Sequence, residues 1–167
     1  YPFVFFAIKT EDKGKIFVVQ ERIGQRGKIF KLRKFRSMKV DDAGVWIEDD
    51  DTRHTKVGKF LRKTRIDELP QVWNLFTGDI SLIGPRPDIK KLGEELSLEI
   101  PYYQIRNIVK PGLSGWAQIT QNLPPQSLED TKIRLSYDLY YIKHRSILLD
   151  LKIAIRTIKT LLSRSGS

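Results

Sequence analysis

Cysteine is absent from the 167 residues, and the chain holds only two histidines and one methionine. Without cysteine there are no disulfides and no thiolate metal sites, which fits a protein facing the cytosol. His54 and His144 stand too far apart in sequence to suggest a metal site or a triad, and read as ordinary polar positions. Long apolar runs are missing too. The longest, Tyr1-Pro2-Phe3-Val4-Phe5-Phe6-Ala7-Ile8, falls far short of the roughly 20 residues that span a bilayer. No internal repeat or low-complexity linker divides the chain, and with 40% apolar residues it can bury one substantial core, so one domain is predicted.

Positive charge is present in excess. The net charge is +10, and two blocks are cationic throughout: eight Lys or Arg between Arg22 and Lys39, and six between Arg53 and Arg65, neither block containing an acid. Such blocks imply a polyanionic partner, whether nucleic acid, an anionic membrane or a phosphorylated substrate. Directly after the second block come Asp67 and Glu68, in Arg62-Lys63-Thr64-Arg65-Ile66-Asp67-Glu68-Leu69-Pro70-Gln71. Two adjacent carboxylates would repel a nucleic-acid backbone unless a divalent cation sat between them, which argues against a nucleic-acid partner and for phosphoryl chemistry. The acidic run Glu48-Asp49-Asp50-Asp51 reads as a solvated loop.

Pro70 is tolerated only in a first helical turn, which puts Asp67 and Glu68 at the start of a helix predicted over 67–76, where exposed amides attract anions. The plainer alternative is a capping role, since Thr64-x-x-Asp67 resembles a capping box. Downstream, Pro85 and Pro87 clamp Arg86, presenting either a preset guanidinium for a phosphate or carboxylate, or a rigid surface turn. Lys110-Pro111-Gly112-Leu113-Ser114-Gly115-Trp116-Ala117-Gln118 is a loop that lets backbone approach a ligand, with Trp116 able to stack on a base, sit at a membrane interface or fill a core.

A hairpin is predicted where 15–20 and 28–32 flank Gly24-Gln25-Arg26-Gly27, and helices over 55–63, 67–76, 88–97, 127–144 and 146–162. In the last, Leu148, Leu151, Ile155, Ile158 and Leu162 form an apolar stripe bordered by Lys152, Arg156 and Lys159. That stripe suits either a helix lying on anionic lipid or one packed on the core. The fold class expected is α+β: mainly helical, with a small N-terminal hairpin and amphipathic helices at a membrane surface.

Lys34-Phe35-Arg36-Ser37-Met38, Asp67-Glu68-Leu69-Pro70-Gln71, Trp73-Asn74 with Gly78-Asp79, Gly84-Pro85-Arg86-Pro87, Lys110-Pro111-Gly112 with Gly115-Trp116-Ala117-Gln118, and Asp138-Leu139-Tyr140-Tyr141 follow one another in an order that resembles the bacterial sugar transferase family. These are the monotopic polyprenyl-phosphate phosphoglycosyl transferases, and the resemblance covers essentially the whole chain. It implies transfer of a sugar 1-phosphate from a UDP-sugar to undecaprenyl phosphate at the cytoplasmic face of the bacterial inner membrane. UMP is released, and an exopolysaccharide, capsule, O-antigen or glycoprotein glycan is begun.

The same resemblance implies that Asp67 attacks the sugar-bearing phosphorus and forms a covalent aspartyl phosphosugar, with Glu68 as its partner. Arg62 would hold phosphate, and Arg86, between Pro85 and Pro87, the nucleotide. Arg106 joins the candidate substrate-binding residues. A carboxylate attacking a charged diphosphate needs its oxygens neutralised, so Mg²⁺ held by Asp67 and Glu68 is expected, with Lys34, Arg36, Arg62 and Arg86 as cationic donors. Residues 1–8 resemble the last stretch of the family's re-entrant membrane helix, so the chain is expected to be a catalytic domain, residues 1–167, lacking most of that helix; a strand or helix of the core is the other reading of residues 1–8. After Gln118 the chain departs from the family's Val-Asn-Gly, reading Ile119-Thr120-Gln121-Asn122, which bears on the sugar pocket. The reading from another class is a non-catalytic basic module for anionic lipid or nucleic acid, which would keep its ligand in EDTA.

Overall fold

The computed structural model describes residues 2–11, 15–37, 55–121 and 123–164. The acidic run at 48–51, Met38 and His54 lie outside them. The fold is α+β as expected, with seven α-helices and two two-stranded sheets among the described residues. The chain forms two compact units interleaved in sequence: Tyr1–Val19 with Leu32–Trp73, and Gln20–Lys31 with Asn74–Ser167.

The first unit holds α1 (Pro2–Glu11), α2 (Lys56–Lys63) and a 3-10 helix (Ile66–Gln71). Its core is Ile8, Phe35 and Leu61, flanked by Val4, Ile16, Val57 and Ile66. Residues 2–11 thus form a helix that sends Ile8 into the core and leaves Phe5 and Phe6 exposed. α2 starts where its cap residue predicts: Thr55 Oγ1 accepts the Gly58 amide at 2.9 Å. The Glu11 carboxylate accepts the next two amides, Lys56 N at 2.6 Å and Val57 N at 2.8 Å, placing an anion on the positive end of the helix. Gly58 is required by close approach, since a Cβ there would stand 1.9 Å from the Ser37 carbonyl oxygen.

The helix expected over 67–76 is instead two pieces, the 3-10 helix and a short α3 (Val72–Phe76). Pro70 sits inside the first piece and has no amide to donate, so continuous α-helical bonding cannot pass it.

The predicted hairpin forms from β1 (Phe17–Ile23) and β2 (Ile29–Phe35), and its strands contribute to both units. A feature not legible locally lies in the second unit: β3 (Ser81–Ile83) pairs in parallel with β4 (Gly112–Ser114), Ser81 opposite Gly112 and Ile83 opposite Ser114. A parallel pair needs a long crossover. It is supplied by α4 (Lys90–Glu99) and a 3-10 turn (Tyr103–Asn107), whose Leu96, Ile100 and Tyr103 share a core with Leu135. The backbones come so close that a Cβ on Gly112 would lie 2.1 Å from the Gly84 nitrogen, which is why both motifs carry glycine there.

α4 begins two residues later than the predicted 88, because Asp88 is committed to a buried network. Next come α5 (Trp116–Thr120), α6 (Leu128–His144), capped by Ser127, and α7 (Ile147–Arg164). α7 packs through Ile153, which is fully buried, and through Thr157, whose hydroxyl meets Ser114 Oγ at 2.6 Å. Its stripe of Leu148, Leu151, Ile155 and Ile158 is left exposed. Among the described residues these four side chains do not pack on a core. No helix among the described residues is long and apolar enough to cross a membrane.

Candidate active site

The left-handed backbone of Arg65, φ +57°, ends α2 and turns the chain into the 3-10 helix within one residue. This is a conformation that costs a residue with a Cβ on the order of 1 kcal/mol. It makes Arg65, rather than Asp67, the residue that precedes the helix. Thr64 Oγ1 does not form the capping box; it donates back to the Phe60 and Leu61 carbonyls. The capping box between Thr64 and Asp67 therefore does not form.

The buried face of the 3-10 helix is Asp67, Pro70 and Gln71. Asp67 is 7% exposed, and its Oδ1 is buried with no hydrogen-bond partner among the described residues. Burial, with the neighbouring Glu68 charge, pushes its carboxyl above the usual range, against the opposing pull of Lys34, Arg62 and Arg65. Glu68 takes a hydrogen bond from Lys34 Nζ at 3.1 Å and stands 4.0 Å from Arg65 Nη1. The fold thus gathers Lys34, Arg62, Asp67 and Glu68 as the sequence led one to expect, and adds Arg65, whose role had no local signal. Arg36 is buried at the end of β2, its amide bonded to the Ile16 carbonyl at 2.7 Å.

The remaining candidates belong to the second unit. There the backbone around Arg86 is pinned at four consecutive carbonyls. Pro85 O accepts from Gly112 N at 3.0 Å, Arg86 O from Arg106 Nη2 at 2.8 Å, Pro87 O from Arg22 Nη1 at 2.9 Å and Asp88 O from Ile23 N at 3.0 Å. So the Pro-Arg-Pro segment is a rigid support, and the Arg86 side chain is only partly buried.

Arg106 has a different role from the one expected. It is 2% exposed, and its guanidinium is consumed by two carboxylates. Nε and Nη2 reach Asp138 Oδ2 at 2.9 and 2.8 Å, and Nη1 pairs with Asp88, which also receives Arg134 and, at 2.8 Å, the Tyr103 hydroxyl. Two guanidiniums against two carboxylates leave a neutral, hydrogen-bonded cluster with nothing left for a substrate anion. Burial works to raise the Asp88 carboxyl, but Arg106 and Arg134, with the hydrogen bonds of Arg134 and Tyr103, hold it at about 2. Burial raises Asp138 despite its arginines and pushes the Tyr103 hydroxyl up to about 12. Arg106 is therefore a positioning residue, holding the Arg86 carbonyl rather than a substrate. Sequence reasoning missed its partners Asp88, Tyr103 and Arg134; the spacing Tyr103-x-x-Arg106 is the one local hint.

Trp116 is neither in the core nor bare: it stacks on Tyr140 with centroids 5.6 Å apart, and Lys152 Nζ lies 5.4 Å from its ring. Asn74 and Asp79 of the Trp73-Asn74 and Gly78-Asp79 blocks shape a turn. Asn74 Nδ2 bonds Asp79 Oδ2 at 3.1 Å and the Lys31 carbonyl at 2.9 Å, with Gly78 at φ +77°.

A buried carboxylate, Asp67, under the influence of Lys34, Arg62 and Arg65 thus sits on an α+β scaffold. The sequence model of the bacterial sugar transferase family matches residues 1–164, and the chain belongs to that family. It is 43% identical over 163 residues to the UDP-N-acetylgalactosamine-undecaprenyl-phosphate N-acetylgalactosaminephosphotransferase of Aeromonas hydrophila, covering 96% of this chain and 38% of that protein. It is 45% identical over 156 residues to the UDP-glucose:undecaprenyl-phosphate glucose-1-phosphate transferase of Klebsiella pneumoniae, covering 91% and 34%. It is also 34% identical over 176 residues to the undecaprenyl-phosphate galactose phosphotransferase of Salmonella typhimurium, covering 95% and 36%. The chain thus spans little more than a third of the length of these relatives.

Proposed function

We propose that the protein carrying this chain transfers a sugar 1-phosphate from a UDP-sugar to undecaprenyl phosphate, with Asp67 as a covalent nucleophile. The observation that carries this reading is the Asp67 carboxylate itself, buried beside cations with its Oδ1 lacking a partner among the described residues. A structural carboxylate at such a depth is ordinarily hydrogen-bonded. The names of the relatives support the substrate classes.

The steps balance as two displacements at one phosphorus. An Asp67 carboxylate oxygen bonds to the sugar-bearing phosphorus, and the bond from that phosphorus to the bridging oxygen breaks, so that UMP leaves with the bridging oxygen and its electron pair. An oxygen of undecaprenyl phosphate then attacks the same phosphorus and returns Asp67 as a free carboxylate. Lys34, Arg62 and Arg65 offset charge on the phosphoryl oxygens, and Arg86, on its pinned turn, grips the nucleotide.

Asp67 and Glu68 also fit Mg²⁺. That ion is commonly held by one or two carboxylates and substrate phosphates, and no group of three or more acidic, His or Cys ligands occurs among the described residues to form a protein-only cage. Bound there, it would supply Lewis-acid neutralisation of the diphosphate. The exposed stripe of α7, flanked by Lys152, Arg156 and Lys159, is the surface that would lie on anionic lipid at the cytoplasmic face.

The test uses the full-length protein, Mg²⁺ and no acceptor lipid. Labelled UMP should enter the UDP-sugar pool when the correct UDP-sugar is supplied, and Asp67→Asn should abolish the exchange. Normal turnover by Asp67→Asn would overturn the assignment. Turnover without acceptor-independent exchange would indicate direct attack by the polyprenyl phosphate.

A further inference from the structure

α2 starts without an acid of its own. Its eight residues include the cations Lys56, Lys59, Arg62 and Lys63, and Lys56 stands at the first position, where the helix dipole disfavours positive charge. The carboxylate that such a start needs comes from 45 residues away. Glu11, the last residue of α1, spends one oxygen on the Lys56 amide at 2.6 Å and the other on the Val57 amide at 2.8 Å. A cap from within a helix stabilises that helix alone, whereas one reaching across from a second helix also fixes where the first one stands.

α1 and α2 already meet through Ile8 and Leu61 in one core. Apolar contact is non-directional, so it holds the helices together without fixing how far α2 slides or turns about its axis. Two hydrogen bonds to consecutive amides do fix this, because their geometry is narrow. At the far end of α2 the setting passes on without slack. Arg65 N donates to the Arg62 carbonyl at 3.1 Å, Glu68 N donates to the Arg65 carbonyl at 3.2 Å, and Arg65 Nη1 stands 4.0 Å from Glu68 Oε1. Each link from Glu11 to the turn that carries Asp67 is a helix, a hydrogen bond or a step of the chain.

We infer that Glu11 is a positioning residue for phosphoryl transfer, its grip on the start of α2 setting where Arg62 and Arg65 stand beside Asp67 and Glu68. The inference rests on the proposed reaction, since those arginines matter to rate only if a phosphoryl group is transferred at Asp67. Glu11 itself touches no substrate. Without it the shared core remains, but α2 is free to shift, and a misplacement of about 1 Å in a catalytic array costs on the order of 100-fold in rate. Arg86, in the second unit, keeps its pinned backbone, so the hold on the nucleotide is unchanged.

The test separates position from stability. Glu11→Ala removes both acceptor oxygens and leaves α1 a good helix former. Adding Thr55→Asp returns a carboxylate to the start of α2 from the cap position itself, without the tie to α1. In the full-length protein, acceptor-free exchange of labelled UMP is measured against UDP-N-acetylgalactosamine, UDP-glucose and UDP-galactose as donors. Glu11→Ala should lower kcat by about 10- to 100-fold with KM for the UDP-sugar within about twofold of wild type. The double variant should regain the melting temperature that Glu11→Ala loses and stay slow. Absence of exchange in the wild type with all three donors would overturn the proposed reaction and this inference with it. Wild-type kcat in Glu11→Ala, or a change confined to KM, would overturn the inference alone. So would a double variant whose kcat recovers together with its melting temperature, because a local cap would then suffice. If Glu11→Ala does not fold, the double variant decides by its kcat; if neither folds, Glu11 is a support of the fold and the inference fails.

Discussion

Replacing Arg106 by methionine isolates the buried cluster of the second unit. The wild-type cluster sets Arg106 and Arg134 against Asp88 and Asp138, and Arg106 alone contacts both carboxylates and the Arg86 carbonyl. Its removal leaves one partly buried cation, Arg134, facing two buried carboxylates. Breaking a buried pair from one side typically costs about 3–5 kcal/mol, which for a chain of this size lowers the melting temperature by about 6–20 °C.

The loss should depend on pH, with a definite sign. Asp138 is already raised by burial, and loses its hydrogen bond and ion pair with Arg106 in the variant, leaving Arg134 as its cation beside the Asp88 charge. Its folded-state carboxyl therefore titrates still higher than in the unfolded chain. A raised carboxyl favours the fold below its unfolded range, and that contribution is lost as pH rises through the folded value, so the variant weakens most in alkali. Denaturant unfolding of Arg106→Met and wild type at pH 5, 7 and 8.5 measures it. A loss below about 1 kcal/mol, or one that shrinks as pH rises, would refute the account of Arg106 as a neutralised structural cation.

Wild-type stability should also fall in acid. Asp88 is held at about 2 against an ordinary 3.8, which is worth about 2 kcal/mol, fully present above pH 4 and lost as pH falls toward 2; Asp88→Asn should flatten that limb of an unfolding-versus-pH curve. Arg86→Lys should damage turnover while melting within a few degrees of wild type, since lysine keeps the charge and loses the fork; wild-type kcat/KM would return the Pro-Arg-Pro turn to a purely structural role. Asp67→Asn, assayed in EDTA near neutral pH, should melt above the wild type, because a buried carboxylate with an orphaned oxygen is replaced by a neutral amide. Ile155→Glu in the exposed stripe of α7 should weaken binding to anionic vesicles by 10-fold or more, through lost apolar burial of about 1.5–3 kcal/mol and added like charge; equal affinity in co-sedimentation would remove α7 from the membrane contact.

Local chemistry made parts of the fold legible. Thr55 and Ser127 mark the starts of α2 and α6 because a side-chain acceptor is what a helix start lacks. The loop at 24–27 signals a hairpin because Arg26 and Gly27 both adopt positive φ there. The pairing of 81–83 with 112–114 has no such signature, since parallel register is set by the long crossover and not by either segment. The helix expected over 67–76 differs for another reason. Pro70 suits a first turn, whereas the chain uses a 3-10 helix, in which Asp67 is buried instead of capping an end.

Arg86 and Arg106 show why the site itself was only partly legible. Both are arginines in a basic chain, and on sequence alone both suit a substrate anion. Arg86 is bracketed by prolines and its backbone is pinned, so its neighbours in sequence already say that it is held. Arg106 differs because folding brings Asp88 from the start of the crossover and Asp138 from the middle of α6 to its guanidinium, and neither lies next to it in the sequence. Net charge counts such a residue as available to anions when it is already neutralised. A basic composition therefore overstates the attraction at a site by every buried cation that has met its carboxylate, and the cations gathered around Asp67 and Glu68, not the total of +10, set the field a diphosphate would meet there.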